Sequence, residues 1–400
     1  MMDEALKRKL SIRWFYLAVG IVLMLFLGLI YAWSVFRMPL EQEFNWSSAE
    51  SSVTFSISMM MFCIGGLISG ILTSKKGAKV TLRCCATCLA VGFIGASKIN
   101  TLMGIYITYG GLCGFGVGLG YNAIIGTILK WFPDKQGLIS GVILMGFGFG
   151  SMVLGTVGAQ MILAFGWRNT FFCFGVAFAI IFLLASVLIQ IAPDSLSKIL
   201  EQSGKQARPA IEELDYKQML RRKNFWLFFF WAICVSSAGM MIMNISATYA
   251  NLLLGDNLTR AATIAGIISI TNGIGRVCIG QLFDWKGYRV TMMADVLLYI
   301  LAGALLLCSF MTMNVAILVI AYIVSGFAYG GISPNISAFT SYFFGRKNFT
   351  LNYSIAYLNL LVASFLGPLF AADQYNVIFM GMIGLALIGF VLTFCIQKNR

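Results

Sequence analysis

Apolar residues run through this chain in long blocks, and polar residues gather in short clusters between them. A membrane span needs about 20 mostly apolar residues. Twelve blocks qualify: 14–37, 51–73, 81–98, 101–130, 137–165, 169–192, 224–250, 261–283, 290–312, 315–343, 349–372 and 376–397. The pattern predicts an all-α polytopic membrane protein with twelve transmembrane helices. The longest polar stretch, 193–224, parts the blocks six and six. The expected organisation is an N-terminal six-helix bundle over 1–193, a cytoplasmic central loop over 194–223 and a C-terminal six-helix bundle over 224–400. The opening "MMDEALKRKL" leads into a long span without a small-residue cleavage site, so it reads as a cytoplasmic tail.

Composition agrees with the pattern. The chain is 59% hydrophobic and 11% charged, far from the soluble norm. Its net charge of +13 would suit a nucleic-acid partner, but the distribution argues otherwise. Of 28 Lys and Arg, 23 fall on one side of the resulting topology; Arg37, Lys98, Arg168 and Arg260 fall on the other, and Arg276 lies alone between. The positive-inside rule then puts both termini in the cytoplasm, in what is expected to be a plasma (inner) membrane. Topology accounts for the basic balance. Membrane lipid is the expected surrounding, and neither a nucleic acid nor an obligatory protein partner is called for.

The ten cysteines lie mostly in apolar spans, where Cys behaves as a small hydrophobe. The cluster "CCATC" (Cys84, Cys85, Cys88) has ligand-like spacing, yet the chain has no His and no second Cys pair nearby. No disulfide framework, metal or cofactor is expected.

The two halves repeat. "GILTSKKGAKVTL" (70–82) and "GQLFDWKGYRVTM" (280–292) match in register 210 residues apart, and "WFPDKQ" (131–136) pairs with "FFGRKN" (343–348). Both pairs lie on the cytoplasmic side, so the halves are parallel repeats about an axis along the membrane normal. In the loops, Gly70 and Gly77 correspond to Gly280 and Gly287, while Ser74 stands where the second copy has Asp284. With Arg289, these residues are expected to act as conformational latches rather than substrate contacts. Glycines crowd spans four and five, where small residues let helices approach closely.

Arg276 is the chemical anomaly. Counting from Asp284, it lies on the order of 12 Å into its span. A central arginine costs roughly 2.5–3.5 kcal/mol on insertion scales, and intramembrane charges are functional candidates by default. Its planar fork matches a carboxylate bidentately. The structural alternative is an arginine satisfied by backbone carbonyls. Asn272 lies one turn earlier on the same face, as a site residue or as a helix-packing hydrogen bond.

Several motifs together resemble the oxalate:formate antiporter family of the major facilitator superfamily, close to the monocarboxylate-transporter group. They are "GLIYAWSVF", "LKWFPDKQGLISG", "FGWRNTFF", "NGIGR" and "NYSIAY…GPLF", and the likeness covers nearly the whole chain. The resemblance implies alternating access, with small carboxylates carried through an aromatic-lined cavity and an arginine of span eight as anion ligand. That arginine matches Arg276, and the aromatic wall falls on Tyr31, Tyr121, Tyr329 and Tyr357. A lysine of the oxalate carrier's span eleven aligns with Leu360, so the second cation is missing here. Proton-coupled relatives place an aspartate where this chain has Asn272. Each tyrosine by itself also fits simple helix packing.

All fifteen acids fall away from mid-membrane by count; Asp295 comes closest, about two turns into span nine. An acid-free bundle with one arginine suggests exchange: an empty, closed carrier would hold an unpaired charge, and a bound anion would neutralise it. The expected function is exchange of small carboxylates, with monocarboxylates favoured. A proton-coupled or facilitative monocarboxylate carrier and a transporter-like sensor are the alternatives. An enzyme is not expected, because hydrolytic or acid–base chemistry lacks its parts.

Overall fold

A computed structural model of the protein describes residues 4–190, 192, 211–254, 258–366 and 375–397. Much of the central loop, the "GPLF" of 367–370, Asp256, Asp373, Lys398 and Arg400 lie outside the described residues. The described chain is mostly helical, and the described residues of each of the twelve apolar blocks fall mainly on helix. The first half contains α1 (Glu4–Leu27), α2 (Trp33–Phe44), α3 (Ser48–Lys76), α4 (Ala78–Ala96), α5 (Leu102–Ile105), α6 (Gly114–Ile128) and α7 (Gln136–Leu188). The second contains α8 (Tyr216–Leu220), α9 (Lys223–Leu253), α10 (Leu258–Lys286), α11 (Tyr288–Thr312), α12 (Val315–Phe344), α13 (Phe349–Ala356), α14 (Asn359–Leu366) and α15 (Tyr375–Cys395).

Local chemistry sets several boundaries. Ser47 caps α3 by accepting from the Glu50 N–H, while the Glu50 carboxylate accepts from the Ser47 N–H at 2.9 Å. Helix α7 has 53 residues, roughly 80 Å of rise, which is more than two crossings of a hydrocarbon core about 30 Å thick. Gly166, at φ 77° and ψ 161°, breaks it into the two expected spans.

The chain forms two compact units. The first comprises Met1–Asp134, Gly146–Pro209 and Arg346–Ile355; the second comprises Lys135–Met145, Ala210–Gly345 and Ala356–Arg400. Each unit therefore takes in one short segment from far along the sequence.

Within the units the repeat reappears as packing. In the first, a β-carbon added at Gly65 would lie 2.2 Å from the Phe115 carbonyl oxygen, one at Gly114 would lie 2.5 Å from that of Ser58, and one at Gly118 would lie 2.1 Å from that of Phe62. In the second, Gly275 meets Phe327 at 2.2 Å, Gly326 meets Ile268 at 2.5 Å and Gly330 meets Asn272 at 2.2 Å. The three contacts join α3 to α6 and α10 to α12 through equivalent residues, 210 apart on α3 and α10 and 212 apart on α6 and α12. Lipid is as apolar as leucine, so helices associate through such close backbone approach rather than through hydrophobic force.

Stacked rings fill the wider gaps. Phe93 stacks on Phe178 at 5.0 Å in the first unit, and Phe228 stacks on Phe339 at 3.8 Å in the second. Such pairs contribute about 0.5–1.5 kcal/mol beyond area burial. Arg13, counted among the basic cytoplasmic residues, is buried: it pairs with Asp134 at 2.9 Å and lies 4.9 Å from the Phe132 ring centre.

Candidate functional site

Arg276 is half-buried on α10, and its surroundings follow from glycines. Gly330 brings α12 against the Asn272 carbonyl, and a β-carbon there would also lie 2.9 Å from the Arg276 nitrogen. Gly141, at the start of α7, would meet the Arg276 carbonyl oxygen at 2.2 Å. Arg276 Nε donates to Asn272 Oδ1 at 2.9 Å, and one terminal nitrogen donates to the Leu144 carbonyl oxygen. Both of the arginine's readings are thus present together. A backbone carbonyl holds it, yet neither partner carries negative charge, and they occupy two of the guanidinium's five donors.

Tyr329, Tyr357 and Leu360 share this second unit. The Tyr329 ring lies against Gly239 of α9, where an added β-carbon would be 2.1 Å from Cδ2. One turn along α12, Ser333 Oγ is 3.1 Å from the Tyr357 hydroxyl. Span eleven is interrupted at Tyr357, between α13 and α14. Asn359 accommodates the break: its amide donates to the Ala356 carbonyl at 2.8 Å and its Oδ1 accepts from Ser236 at 2.9 Å. Leu360 therefore stands at the start of a half-helix, where broken spans in carriers commonly line a binding cavity.

Tyr31 and Tyr121 belong to the first unit and meet around one ring. Both approach Phe147 edge-on, at 5.2 Å and 4.9 Å, and Tyr121 also meets Phe62 at 5.2 Å. Tyr31 is exposed, whereas Tyr121 is buried. Sequence reasoning passed over Phe147 and Phe62. The repeat held a clue, because Phe62 is the counterpart of Asn272, and Gly66 that of Arg276. The polar pair thus occurs in one repeat and has no polar equivalent in the other.

The loop residues also have definite places. Gly77 and Gly287 adopt matching positive φ values of 83° and 84° between consecutive helices. Asp284 accepts from the Gly137 N–H at 2.9 Å and the Leu138 N–H at 2.8 Å, placing a carboxylate on the α7 N-terminus. Gly280 packs beside it, with an added β-carbon 2.1 Å from the Gly137 carbonyl oxygen. The counterpart Ser74 is exposed and donates to Ile71 O of its own helix at 2.9 Å, while Gly70 packs on Leu351. Arg289 donates to the Ile396 carbonyl at 3.3 Å.

One expectation needs correcting. Asp295, read as falling short of mid-membrane about two turns into its span, is fully buried and accepts from Asn335 Nδ2 at 3.2 Å. The bundle is therefore not free of acids. Depth counted from a loop does not reveal which way a helix turns a side chain.

The family model of the Major Facilitator Superfamily matches residues 17–368. An uncharacterized MFS-type transporter of Escherichia coli, YhjX, is 25% identical over 355 residues, covering 88% of this chain and 86% of that one. The oxalate:formate antiporter of Oxalobacter formigenes is 25% identical over 369 residues, covering 89% and 83%. Among solved structures, the transporter FucP in its outward conformation aligns with a TM-score of 0.73 at 15% identity, over 96% of this chain and 98% of that chain. Nine stretches among the described residues that are long and apolar enough to cross a membrane, an internal repeat and this family match lead to one conclusion: the chain belongs to the Major Facilitator Superfamily and is an integral membrane transporter, not an enzyme.

Proposed function

We propose that this transporter carries small carboxylate anions, monocarboxylates above all, by alternating access, and that it works chiefly as an exchanger. The observation carrying this reading is Arg276, a guanidinium among packed helices with neutral partners. A carboxylate arriving there exchanges the Leu144 carbonyl for a bidentate, charge-assisted pair and cancels the local charge. The empty carrier keeps its hydrogen bonds but not its neutrality, so the loaded form reorients more readily. Similarity to an oxalate:formate antiporter supports both the small-carboxylate class and exchange. The apolar Leu360 favours a monoanion over a dianion. The charge distribution favours cytoplasmic termini in a plasma membrane.

Counterflow in proteoliposomes tests the reading, using labelled formate, acetate, lactate, pyruvate, oxalate and malonate. Internal monocarboxylate should accelerate uptake of labelled monocarboxylate. Binding without movement would point to a sensor, and absence of both would remove the carboxylate assignment.

A further inference from the structure

Asp295 is in an unusual position for a carboxyl group. It is fully buried on α11, and among the described residues no ion pair joins it. Its Oδ2 has Asn335, but its Oδ1 has no hydrogen-bond partner. Two further buried oxygens beside it are also unpartnered: Asn335 Oδ1 and the Tyr299 hydroxyl, one turn along the same helix face. A lone carboxylate charge is costly to bury, and so is each unmet polar atom.

The internal repeat supplies a control. The registers of α4 and α11 are fixed by Thr81 and Thr291, whose hydroxyls donate to Gly77 O at 3.2 Å and Gly287 O at 2.9 Å. The positions equivalent to Asp295, Tyr299 and Asn335 are then Cys85, Leu89 and Ala123, all fully buried. The fold is built at this place without a carboxyl, a phenol or an amide. The polar trio is an addition to one repeat, the same repeat that carries Arg276.

We propose that Asp295 is a proton-binding residue, with Asn335 and Tyr299 as its positioning partners, and that its proton is coupled to the movement of the carried anion. A proton on Asp295 Oδ1 removes the charge and creates a donor. A carboxylic acid facing a primary amide can form two complementary bonds, and the proton then serves Asn335 Oδ1 while Asn335 Nδ2 continues to serve Oδ2. Without the proton, the Tyr299 hydroxyl is the donor at hand. The site suits a proton better than a metal cation, because Oδ1 is packed against backbone: a β-carbon on Gly331 would lie 2.5 Å from it and 2.9 Å from Ile279.

The surrounding helices hold few groups that would interfere. Tyr299 lies on α11 itself, and Tyr329 of α12 lies beside it over Gly239 of α9, where an added β-carbon would be 2.5 Å from the Tyr299 hydroxyl. Helix α10 offers Ile279 to this space, and Gly389 of α15 packs on neighbouring Val296. Tyr329 adjoins Gly330, which packs on the backbone of Asn272 and Arg276, so α12 touches the surroundings of both the carboxyl and the anion site.

The coupling rests on the carboxylate reading; the proton site does not, and two measurements separate them. Infrared spectra of the purified natural protein should contain the C=O stretch of a buried carboxylic acid over part of the pH range. Asp295→Asn should lack it, and Asn335→Ala should move it to higher frequency by removing a donor to its oxygen. In liposomes loaded with a pH dye, monocarboxylate uptake by natural protein should carry protons. Asp295→Asn should still exchange labelled monocarboxylate while its proton signal falls to that of protein-free liposomes. A natural protein without the acid band at any pH, or an Asp295→Asn variant with the natural proton signal, overturns the proposal. If no anion of the panel moves at all, the carboxylate reading fails and the infrared comparison still decides the proton site.

Discussion

Arg276 donates to the backbone carbonyl oxygen of Leu144, a partner that satisfies an N–H but cannot cancel a charge. Leu144 belongs to the short Lys135–Met145 segment at the start of α7, and that segment is held to α10 at two other places. Gly141 packs on the Arg276 carbonyl, and Asp284 receives the Gly137 and Leu138 N–H groups. One segment therefore touches the anion candidate at one end and a loop carboxylate at the other.

Gly330→Ala tests how closely the site depends on packing. The new methyl would meet the Asn272 carbonyl oxygen and the Arg276 nitrogen, both backbone atoms that cannot rotate away. Overpacking of this kind costs about 1–3 kcal/mol. The equivalent Gly118→Ala meets the Phe62 carbonyl oxygen and the Gly66 nitrogen. Both variants should unfold at lower temperature in detergent, and Gly330→Ala should also lose more exchange activity than Gly118→Ala. Equal activity losses would mean that the α10–α12 contact does not position Arg276.

Asp284→Asn tests the loop carboxylate. The amide keeps one acceptor but loses the charge facing the α7 N-terminus, an interaction worth about 0.5–2 kcal/mol. Exchange should slow, and the reactivity of a cysteine placed at exposed Lys135 should rise as the segment loosens. Ser74→Asp, its counterpart, should act in the opposite sense by adding the charge that the first repeat lacks. Unchanged cysteine reactivity in Asp284→Asn would rule out a latch at this loop.

Much of the fold was legible in sequence because lipid imposes a simple rule: spans are long and apolar, and basic residues collect on one side. The loop repeats were legible too, since a positive-φ glycine and its neighbours leave a literal motif. Other features lacked such a mark. The break at Tyr357 involves neither proline nor glycine; it depends on Asn359 capturing the Ala356 carbonyl, with Ser236 from a distant helix completing the arrangement. Phe147 drew no attention among 33 phenylalanines, because only packing shows that Tyr31 and Tyr121 meet on it. Asp295 was misjudged since burial depends on neighbouring helices as well as on depth. Of the site itself, Arg276 and Asn272 were legible through charge and i,i+4 spacing, and their hydrogen bond follows from that spacing.

Leu360→Lys tests the charge of the carried anion. With one guanidinium available, a dianion would leave its second carboxylate without a cation, and at an effective dielectric of about 20 a cation at 4 Å contributes on the order of 4 kcal/mol. Natural protein should therefore select strongly against oxalate and malonate in competition with labelled monocarboxylate. The lysine variant should bind monocarboxylate more weakly and dicarboxylate better. Natural protein that already prefers oxalate would show that another group holds a second carboxylate.

The central claim is that Arg276 is the anion ligand, and the most direct test is counterflow of labelled monocarboxylate by natural protein, Arg276→Ala and Arg276→Lys in matched proteoliposomes. Equal insertion and a single symmetric size-exclusion peak establish that each variant is folded. The account predicts exchange at the protein-free level for Arg276→Ala, and weak but measurable exchange for Arg276→Lys, since an ammonium keeps the charge and loses the bidentate fork. Folded Arg276→Ala protein exchanging at the natural rate would contradict it.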